Sequence, residues 1–296
     1  MSLKVHAIII ALNEEDFIAE TLKPLYPHCS GLSVITQYDR DYHLNRVQPD
    51  LTVQKVLQFP DPEGKIHLVV RRYIDETASR NHEMLSLLTH PAKGVMPHAW
   101  TVERVQEFHA CPDYFLIVDA DEIYDADTFP AILAYLARQR PAALKMQAFE
   151  YGPSWRFRVP PSHYLFKQFG FVRAGRIFES RRTLSWNEHR LNKLFSLLHM
   201  GGNWGTRLLG YQECPQSVGM FHHGAIVRRG RAKLLEKMTK HSHQGEYMNS
   251  SYLRKILAQK YEVVPLENLP RNLLTGTWPA CFWEDNLEAL IGSLMV

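Results

Sequence analysis

Three carboxylates follow an apolar run in the segment FLIVDADEIY, residues 115–124: Asp119, Asp121 and Glu122. The four apolar residues before Asp119 have the pattern of a buried strand. Two carboxylates a few ångströms apart repel each other unless a cation lies between them or one of them is protonated. Mg²⁺ or Mn²⁺ suits such a pair, because these ions prefer oxygen ligands and keep coordination positions for phosphate oxygens. The segment therefore predicts a divalent metal site.

A simpler interpretation is that solvated acids begin a helix, since Asp125 and Asp127 precede a helical pattern. Asp119 and Asp121 instead terminate the apolar strand directly, which favours metal binding for these two. Alternate residues of a strand face the same way, so we expect both carboxylates to point together, with Ala120 pointing into the sheet.

Strand and helix patterns alternate through the first half of the chain. Continuous apolar or β-branched runs predict strands at 4–12, 32–37, 65–70, 114–121 and 142–149. Helical spacing predicts helices after Asn13, at 76–88, and from Asp127 to Pro141. This order predicts an α/β fold with a mainly parallel central sheet flanked by helices. Ligands of such sheets bind at the carboxyl ends of the strands, where Asp119 and Asp121 are placed.

The second half is less regular. The segment 150–164 is rich in proline and aromatic residues, which predicts a loop or lid. Helical patterns return at 231–240 and 252–260. We find neither repeats nor a clear linker, so we expect one domain with a C-terminal segment attached to it.

Composition excludes several classes of function. The net charge of +3 and the lack of a long basic run argue against nucleic-acid binding. No apolar run approaches the ~20 residues of a membrane-spanning helix, so an integral membrane segment is not expected. The four cysteines lack CxxC spacing, which favours reduced thiols and a cytoplasmic location.

Several segments, taken in order, resemble the family 2 type glycosyltransferases of the GT-A fold. IIIALNEEDFIAETL is similar to the family's opening strand and turn, and TASRNHEM to its helix with an A-x-x-R-N motif. FLIVDADEIY is similar to the strand that ends in the family's D-x-D motif. Further along, GRIFES with WNEH and then FHHGAIVRRGRAKLLEKM resemble later segments of some members. Together the matches cover roughly residues 5–240.

The resemblance implies a metal-dependent glycosyltransferase of hexosyltransferase type. Such an enzyme transfers a sugar from a nucleoside diphosphate sugar to an acceptor hydroxyl on a glycan, a lipid or a small molecule. Mn²⁺ or Mg²⁺ would be its cofactor. Residues 1–124 would then form the nucleotide-sugar-binding half of a single GT-A domain. Residues 125–264 would form the acceptor-side half, followed by the C-terminal segment 265–296.

The resemblance also implies which residues hold the donor. Leu12, Asn13 and Glu14 follow the first strand, and Asp39 follows the second, so these four are expected to contact the nucleoside. Leu12 stands where the family usually has Tyr. TQYDRD replaces the family's VDDGS turn, with Asp39 as the nearest equivalent of its acid and Asp41 as the alternative. Cationic side chains are expected to stabilise the departing diphosphate. We predict this role for three arginines, and donor contact for the first D-x-D carboxylate: Arg80, Arg228, Arg229 and Asp119.

The same resemblance places a histidine metal ligand in FHHG. We predict His222 rather than His223 for it, so that Asp119, Asp121 and His222 hold the metal. For an inverting reaction a carboxylate must take the acceptor proton. Glu188 is our first prediction for this base because WNEH resembles a motif of the family, and Glu150, after the fifth predicted strand, is the second.

Each prediction has a structural alternative. Arg80 has the spacing to pair with Glu83 on its own helix, the later arginines suit a solvated helix face, and a histidine in an apolar stretch is commonly a core residue. Two other functions also fit a strand that ends in D-x-D. One is a phosphatase of haloacid-dehalogenase type, with an aspartate nucleophile. The other is a non-catalytic module that binds nucleotide or metal.

Overall fold

A computed structural model describes the chain in segments. These are residues 3–37, 46, 48–71, 76–89, 112–160, 166–175, 178–180, 183–184, 210–225, 227, 261–278 and 280–283. The predicted helices at 231–240 and 252–260 lie outside the described residues. No described helix has both the length and the apolar character needed to cross a membrane.

Most strands belong to one mixed sheet. Its strands are β1 Val5–Ile10, β2 Gly31–Thr36, β3 Ile66–Val70, β4 Tyr114–Asp119, β5 Glu122–Tyr124, β6 Ala143–Glu150, β8 Phe166–Arg173, β11 Tyr211–Glu213 and β12 Phe221–His223. They are arranged in the order β3-β2-β1-β4-β8-β6-β12-β5, and β11 also pairs with β6. Two small sheets pair β7 Phe157–Arg158 with β13 Glu262–Val263, and β9 Phe178–Ser180 with β10 Thr183–Leu184.

The first four strands of this order, β3, β2, β1 and β4, are all parallel. Strands β1 and β2 are buried along their whole length, as their continuous apolar runs predict. The five predicted strands are confirmed, each within a few residues of the expected ends. Parallel pairing brings the carboxyl ends of β1, β2 and β4 to one edge of the sheet.

The remaining strands are mixed in direction. Strand β8 runs antiparallel to both β4 and β6, β12 runs parallel to β6, and β5 runs antiparallel to β12. Strands β4 and β5 are separated by only two residues, yet they lie far apart in the strand order. The sheet is therefore curled, and the chain passes from β4 directly to β5, which pairs with β12.

Helices cover the sheet. They are α1 Ile18–Leu25, α2 Thr52–Gln58, α3 Glu76–Thr89, α4 Phe129–Gln139 and α5 Arg271–Leu274. Helix α1 begins five residues after Asn13, later than predicted, because Asn13 has a φ of 54° and continues the turn after β1. Helix α4 likewise begins after Thr128 rather than after the predicted cap Asp127.

Part of the segment predicted as a loop or lid lies in the protein core. Within 150–160, Tyr151 and Trp155 are fully buried. Trp155 packs at a steep angle against Phe17 and Trp278, with ring centroids 6.1 and 5.3 Å away. The C-terminal segment completes this cluster, since Trp155 N donates to the carbonyl oxygen of Phe282 at 3.0 Å. Aromatic residues here serve packing.

Candidate active site

The D-x-D segment lies between the two parts of the sheet. Strand β4 ends at Asp119, so Asp121 lies in a turn and the strand alternation expected for the two carboxylates stops before it. Ala120 N donates to the carbonyl oxygen of Ile10 at 2.9 Å, and Gly224 N donates to that of Asp121 at 2.9 Å. These bonds hold the turn against β1 on one side and against the end of β12 on the other.

Asp119 pairs with Arg80. The guanidinium Nη2 of Arg80 lies 2.7 Å from Asp119 Oδ1 and 3.4 Å from Glu76 Oε2. The Arg80 side chain is fully buried, whereas that of Asp119 is 20% exposed. The protein therefore supplies a cation beside the first carboxylate, whereas contact of Arg80 with the diphosphate stays a prediction.

Helix α3 is anchored beneath the sheet by buried polar contacts one turn after Arg80. Ser33 Oγ on β2 donates to Glu83 Oε1 at 2.7 Å and lies 2.9 Å from His6 Nε2 on β1. Burial, and then the charge of nearby His67, lower the pKa of His6 to about 3. A neutral His6 therefore belongs to the folded state at neutral pH, and the contacts fix α3 where Arg80 meets Asp119.

Glu122 is a structural acid. Its Oε2 accepts a 3.0 Å hydrogen bond from the backbone N of Asp119, and its Oε1 accepts one from Gln168 Nε2 on β8. Glu122 is 1% exposed. Because both carboxylate oxygens accept hydrogen bonds within the protein, Glu122 fixes the turn and leaves the ligand-facing role to its neighbours.

His223 reaches the second carboxylate of the motif. Its Nε2 lies 3.8 Å from Asp121 Oδ1, and its Nδ1 lies 2.8 Å from Glu150 Oε1 at the end of β6. Burial by itself would lower the pKa of His223. The carboxylates of Glu150, Asp121 and Glu122 outweigh burial and raise that pKa to about 9. In the ligand-free protein His223 is therefore an imidazolium at neutral pH.

His222, the predicted metal ligand, occupies the other side of β12. Its Nδ1 lies 2.8 Å from the hydroxyl of Tyr151, and its ring packs 5.5 Å from that of Phe149. Burial, with a smaller contribution from the charge of Arg158, lowers the pKa of His222 to about 3. The structure thus brings His223 to Asp121 and places His222 in the core. The period of two in a strand was the signal that separates them.

We tested whether the site suits a divalent metal. Within the described part of the chain, no group of three or more His, Cys, Asp or Glu side chains is arranged to hold a metal ion. Mg²⁺ sites commonly use one or two carboxylates together with substrate phosphates. Asp121 supplies one carboxylate, and its 3.8 Å separation from His223 Nε2 lets both atoms reach one ion at about 2.1 Å. The donor set fits a metal completed by a substrate.

Polar groups also follow the ends of β1 and β2. Asn13 Nδ2 donates to the carbonyl oxygen of Gln48 at 3.0 Å, and Glu14 N donates to Thr52 Oγ1 at 2.8 Å. Gln37, directly after β2, is 4% exposed, and among the described residues no hydrogen-bond partner contacts its side-chain amide. Buried amides are normally hydrogen-bonded. Gln37 was missed in the sequence, because its burial comes from the tertiary fold.

Four predicted site residues lie outside the described residues: Asp39, Glu188, Arg228 and Arg229. Leu12 is buried beside Asn13 at the end of β1. Glu150, the second predicted base, is at the site, but its carboxylate already contacts the ring of His223. The structure therefore brings together Arg80, Asp119, Asp121 and Glu150, and adds His223.

Comparison with known proteins gives weak likenesses. No family model matches the chain, and no curated protein matches it. The structure of Staphylococcus aureus TarS 1–349 in complex with UDP is 19% identical, with a TM-score of 0.31, over 49% of this chain and 36% of that one. A second structure of S. aureus TarS is also matched over 49% of this chain, and the match covers 22% of the TarS chain. Glucosyl-3-phosphoglycerate synthase from Mycobacterium tuberculosis, in complex with Mn²⁺, UDP and phosphoglyceric acid, is 13% identical with a TM-score of 0.36. Its match covers 92% of this chain and 91% of that protein.

Proposed function

We propose that the protein is a metal-dependent glycosyltransferase with a GT-A type fold. It would transfer a sugar from a nucleoside diphosphate sugar to an acceptor hydroxyl. The observation that carries this proposal is the contact between Asp121 and His223, at the carboxyl end of β4 and beside the Arg80–Asp119 pair. The order of the sequence motifs supports the same function.

The chain's own residues suit the charge that such a reaction creates. As the glycosidic bond breaks, negative charge accumulates on the departing diphosphate. A divalent metal held by Asp121 and His223 would stabilise that charge as a Lewis acid. Because a histidine ligand must be neutral, the metal would replace the proton that His223 carries in the ligand-free protein. Arg80 holds Asp119 in a fixed orientation, in which its carboxylate can accept a hydrogen bond from a donor hydroxyl.

The nucleoside would lie over the ends of β1 and β2. The buried amide of Gln37 offers one donor group and one acceptor, which matches a nucleobase edge with an acceptor beside a donor. Asn13 and Glu14 form the adjoining wall of this subsite. Leucine at position 37 retains the size and loses both polar atoms, so Gln37→Leu should weaken nucleoside diphosphate binding about 10-fold or more.

Residues outside the described segments complete the proposal. Glu188 remains our proposed base for an inverting reaction, and Arg228 and Arg229 remain proposed partners of the diphosphate. In this proposal His223 takes the metal-ligand role predicted for His222, because His223 is the histidine that faces Asp121.

Calorimetry of nucleoside diphosphate binding, with and without Mn²⁺, tests the function. We expect Mn²⁺ and UDP or another nucleoside diphosphate to bind cooperatively to the wild-type protein. Asp121→Asn keeps the shape of the side chain and removes its charge, so it should weaken Mn²⁺-dependent binding at least 100-fold. Asp127→Asn is the matched control, because Asp127 is an exposed acid of the same segment. It should bind like the wild type.

Three outcomes would contradict the proposal. Metal-independent nucleotide binding that is unchanged in Asp121→Asn would remove the metal from the site. Release of phosphate from p-nitrophenyl phosphate, lost in Asp119→Asn, would favour the phosphatase. Cooperative binding without any hydrolysis or transfer across a panel of nucleotide sugars would favour the non-catalytic module.

A further inference from the structure

Glu150 and His223 are held side by side by strand pairing. In the parallel ladder between β6 and β12, Glu150 is the residue paired with His223, just as Phe149 is paired with His222. Paired residues of neighbouring strands present their side chains on the same face of a sheet. The 2.8 Å contact between His223 Nδ1 and Glu150 Oε1 is therefore fixed by backbone register as well as by charge.

The two nitrogens of the His223 ring face different acids. Nδ1 faces Glu150, and Nε2 faces Asp121 at 3.8 Å. A carboxylate that accepts the Nδ1 proton fixes the orientation of the ring and leaves Nε2 as the nitrogen available to an ion beside Asp121. Partners of this kind typically change metal affinity by about 10–100-fold when they are removed.

We propose that Glu150 is a positioning residue that orients His223 toward a divalent cation beside Asp121, and that it is not the catalytic base. This inference rests on the proposed function, which supplies the cation. A catalytic base has to present its carboxylate to the acceptor hydroxyl. The carboxylate of Glu150, the last residue of β6, instead contacts the ring of His223 on the paired strand β12.

The experiment compares Glu150→Ala and Glu150→Gln with Tyr151→Phe. Tyr151→Phe is the matched control, because it removes the partner of His222 Nδ1 on the other side of the same strand. Mn²⁺ binding is measured by electron paramagnetic resonance, with Mn²⁺ alone and with UDP added. Glu150→Ala should weaken Mn²⁺ binding by about 10–100-fold. Glu150→Gln should weaken it less, because the amide oxygen still accepts the Nδ1 proton, and Tyr151→Phe should leave it unchanged.

Turnover at increasing Mn²⁺ separates positioning from base catalysis. Saturating Mn²⁺ should restore most of the turnover of Glu150→Gln if Glu150 orients the ring. A loss that no Mn²⁺ concentration restores, together with normal Mn²⁺ affinity, would identify a base and overturn the inference. In the metal-free protein, ¹⁵N-labelled histidine should show a hydrogen-bonded Nδ1 proton of His223 that Glu150→Ala abolishes.

The failure of this inference is distinguishable from that of the proposed function. Equal Mn²⁺ affinity in the wild type and in Glu150→Ala overturns the positioning role alone. Absence of Mn²⁺ binding by the wild type, with UDP present, overturns the metal site and the positioning role together.

Discussion

The parallel strands and the mixed strands bring charge to the site by different means. In the parallel part, the cation Arg80 stands on helix α3, which is tied to β1 and β2 through buried polar side chains. In the mixed part, His223 stands on a short strand, and its neighbours are fixed by the pairing of β12 with β5 and β6. One group thus depends on side-chain contacts and the other on backbone register.

This difference determines which substitutions displace the charged group of each part. Changing a buried polar side chain beneath α3 should displace Arg80 while the sheet stays intact. Changing the path of β12 should displace His223 and spare Arg80. The two parts can therefore be disturbed separately, and the following three predictions do so in order of decreasing effect for each residue.

The largest effect is expected from Arg80→Met. The substitution leaves Asp119 without its 2.7 Å guanidinium partner in a largely buried setting. Breaking a buried pair from one side costs about 3–5 kcal/mol, and the partial exposure of Asp119 places this one near the lower value, about 3 kcal/mol. Urea unfolding measures the loss. Arg138→Met, at an exposed position of α4, is the control and should change the stability by less than about 0.5 kcal/mol.

A double variant sharpens this prediction. Arg80→Met with Asp119→Asn removes both charges, so it should be more stable than Arg80→Met alone. If the single and double variants unfold at the same urea concentration, the ion pair between Arg80 and Asp119 does not contribute to the stability of the protein.

Acid should weaken the parallel part through His6 and His67. Burial lowers the pKa of His6 to about 3 and that of His67 to about 4, against an ordinary value of 6.5. The unfolded chain therefore binds more protons below pH 6.5, and stability falls as the pH drops from 6.5 toward these values. The loss between pH 7 and pH 5 is up to about 2 kcal/mol for each histidine.

Unfolding free energies from pH 7 to pH 5 measure this slope. His6→Gln removes one of three buried histidines, His6, His67 and His222, whose pKa lies near 3 or 4, so it should reduce the slope by up to about a third. A slope that is the same in the wild type and in His6→Gln would show that His6 does not titrate between the folded and unfolded states.

Gly224→Ala should disturb the mixed part by a smaller amount. A Cβ atom at this position would lie 2.7 Å from Trp155 Cη2 and 2.9 Å from Phe17 Cε1, so β12 or the rings must move. Overpacking of this kind costs about 1–3 kcal/mol, and we expect about 1–2 kcal/mol because the displaced atoms belong to side chains.

For this variant Mn²⁺ affinity is a more specific measurement than the free energy of unfolding, because it shows which part of the sheet is disturbed. Mn²⁺ binding should weaken because His223 precedes Gly224. When Gly224→Ala is also present, the free energies of unfolding of Arg80→Met and of its control Arg138→Met should still differ. Wild-type Mn²⁺ affinity in Gly224→Ala would show that the register of β12 tolerates the added methyl group.

The parallel half of the fold was predictable from local pattern. Runs such as VHAIII at Val5–Ile10 are apolar throughout, as a strand covered on both faces requires. In the mixed half only β6 was predicted. Strands β5, β11 and β12 have only three residues each, too few to show a period. Their identity depends on pairing partners far along the chain.

The site residues in the parallel part were likewise easier to predict from the sequence than those in the mixed part. Arg80 and Asp119 were each predicted as site residues from their motifs, but their 2.7 Å contact was not predicted. The period of two in a strand places His222 and His223 on opposite faces of β12. The sequence does not show which of these faces is turned toward Asp121, because that depends on the tertiary fold. Gln37 was missed because a glutamine after a strand is ordinary until the fold buries it.

The aromatic cluster around Phe17 has a consequence for synthesis of the protein. Phe17 precedes the first helix, yet its ring lies 5.4 Å from that of Trp278 and 5.7 Å from that of Phe282. At about 5–20 residues per second, a ribosome needs roughly 13–50 s to make the chain between Phe17 and Phe282. During that interval the nascent first half exposes an apolar surface, which makes it a substrate for chaperones that hold emerging chains.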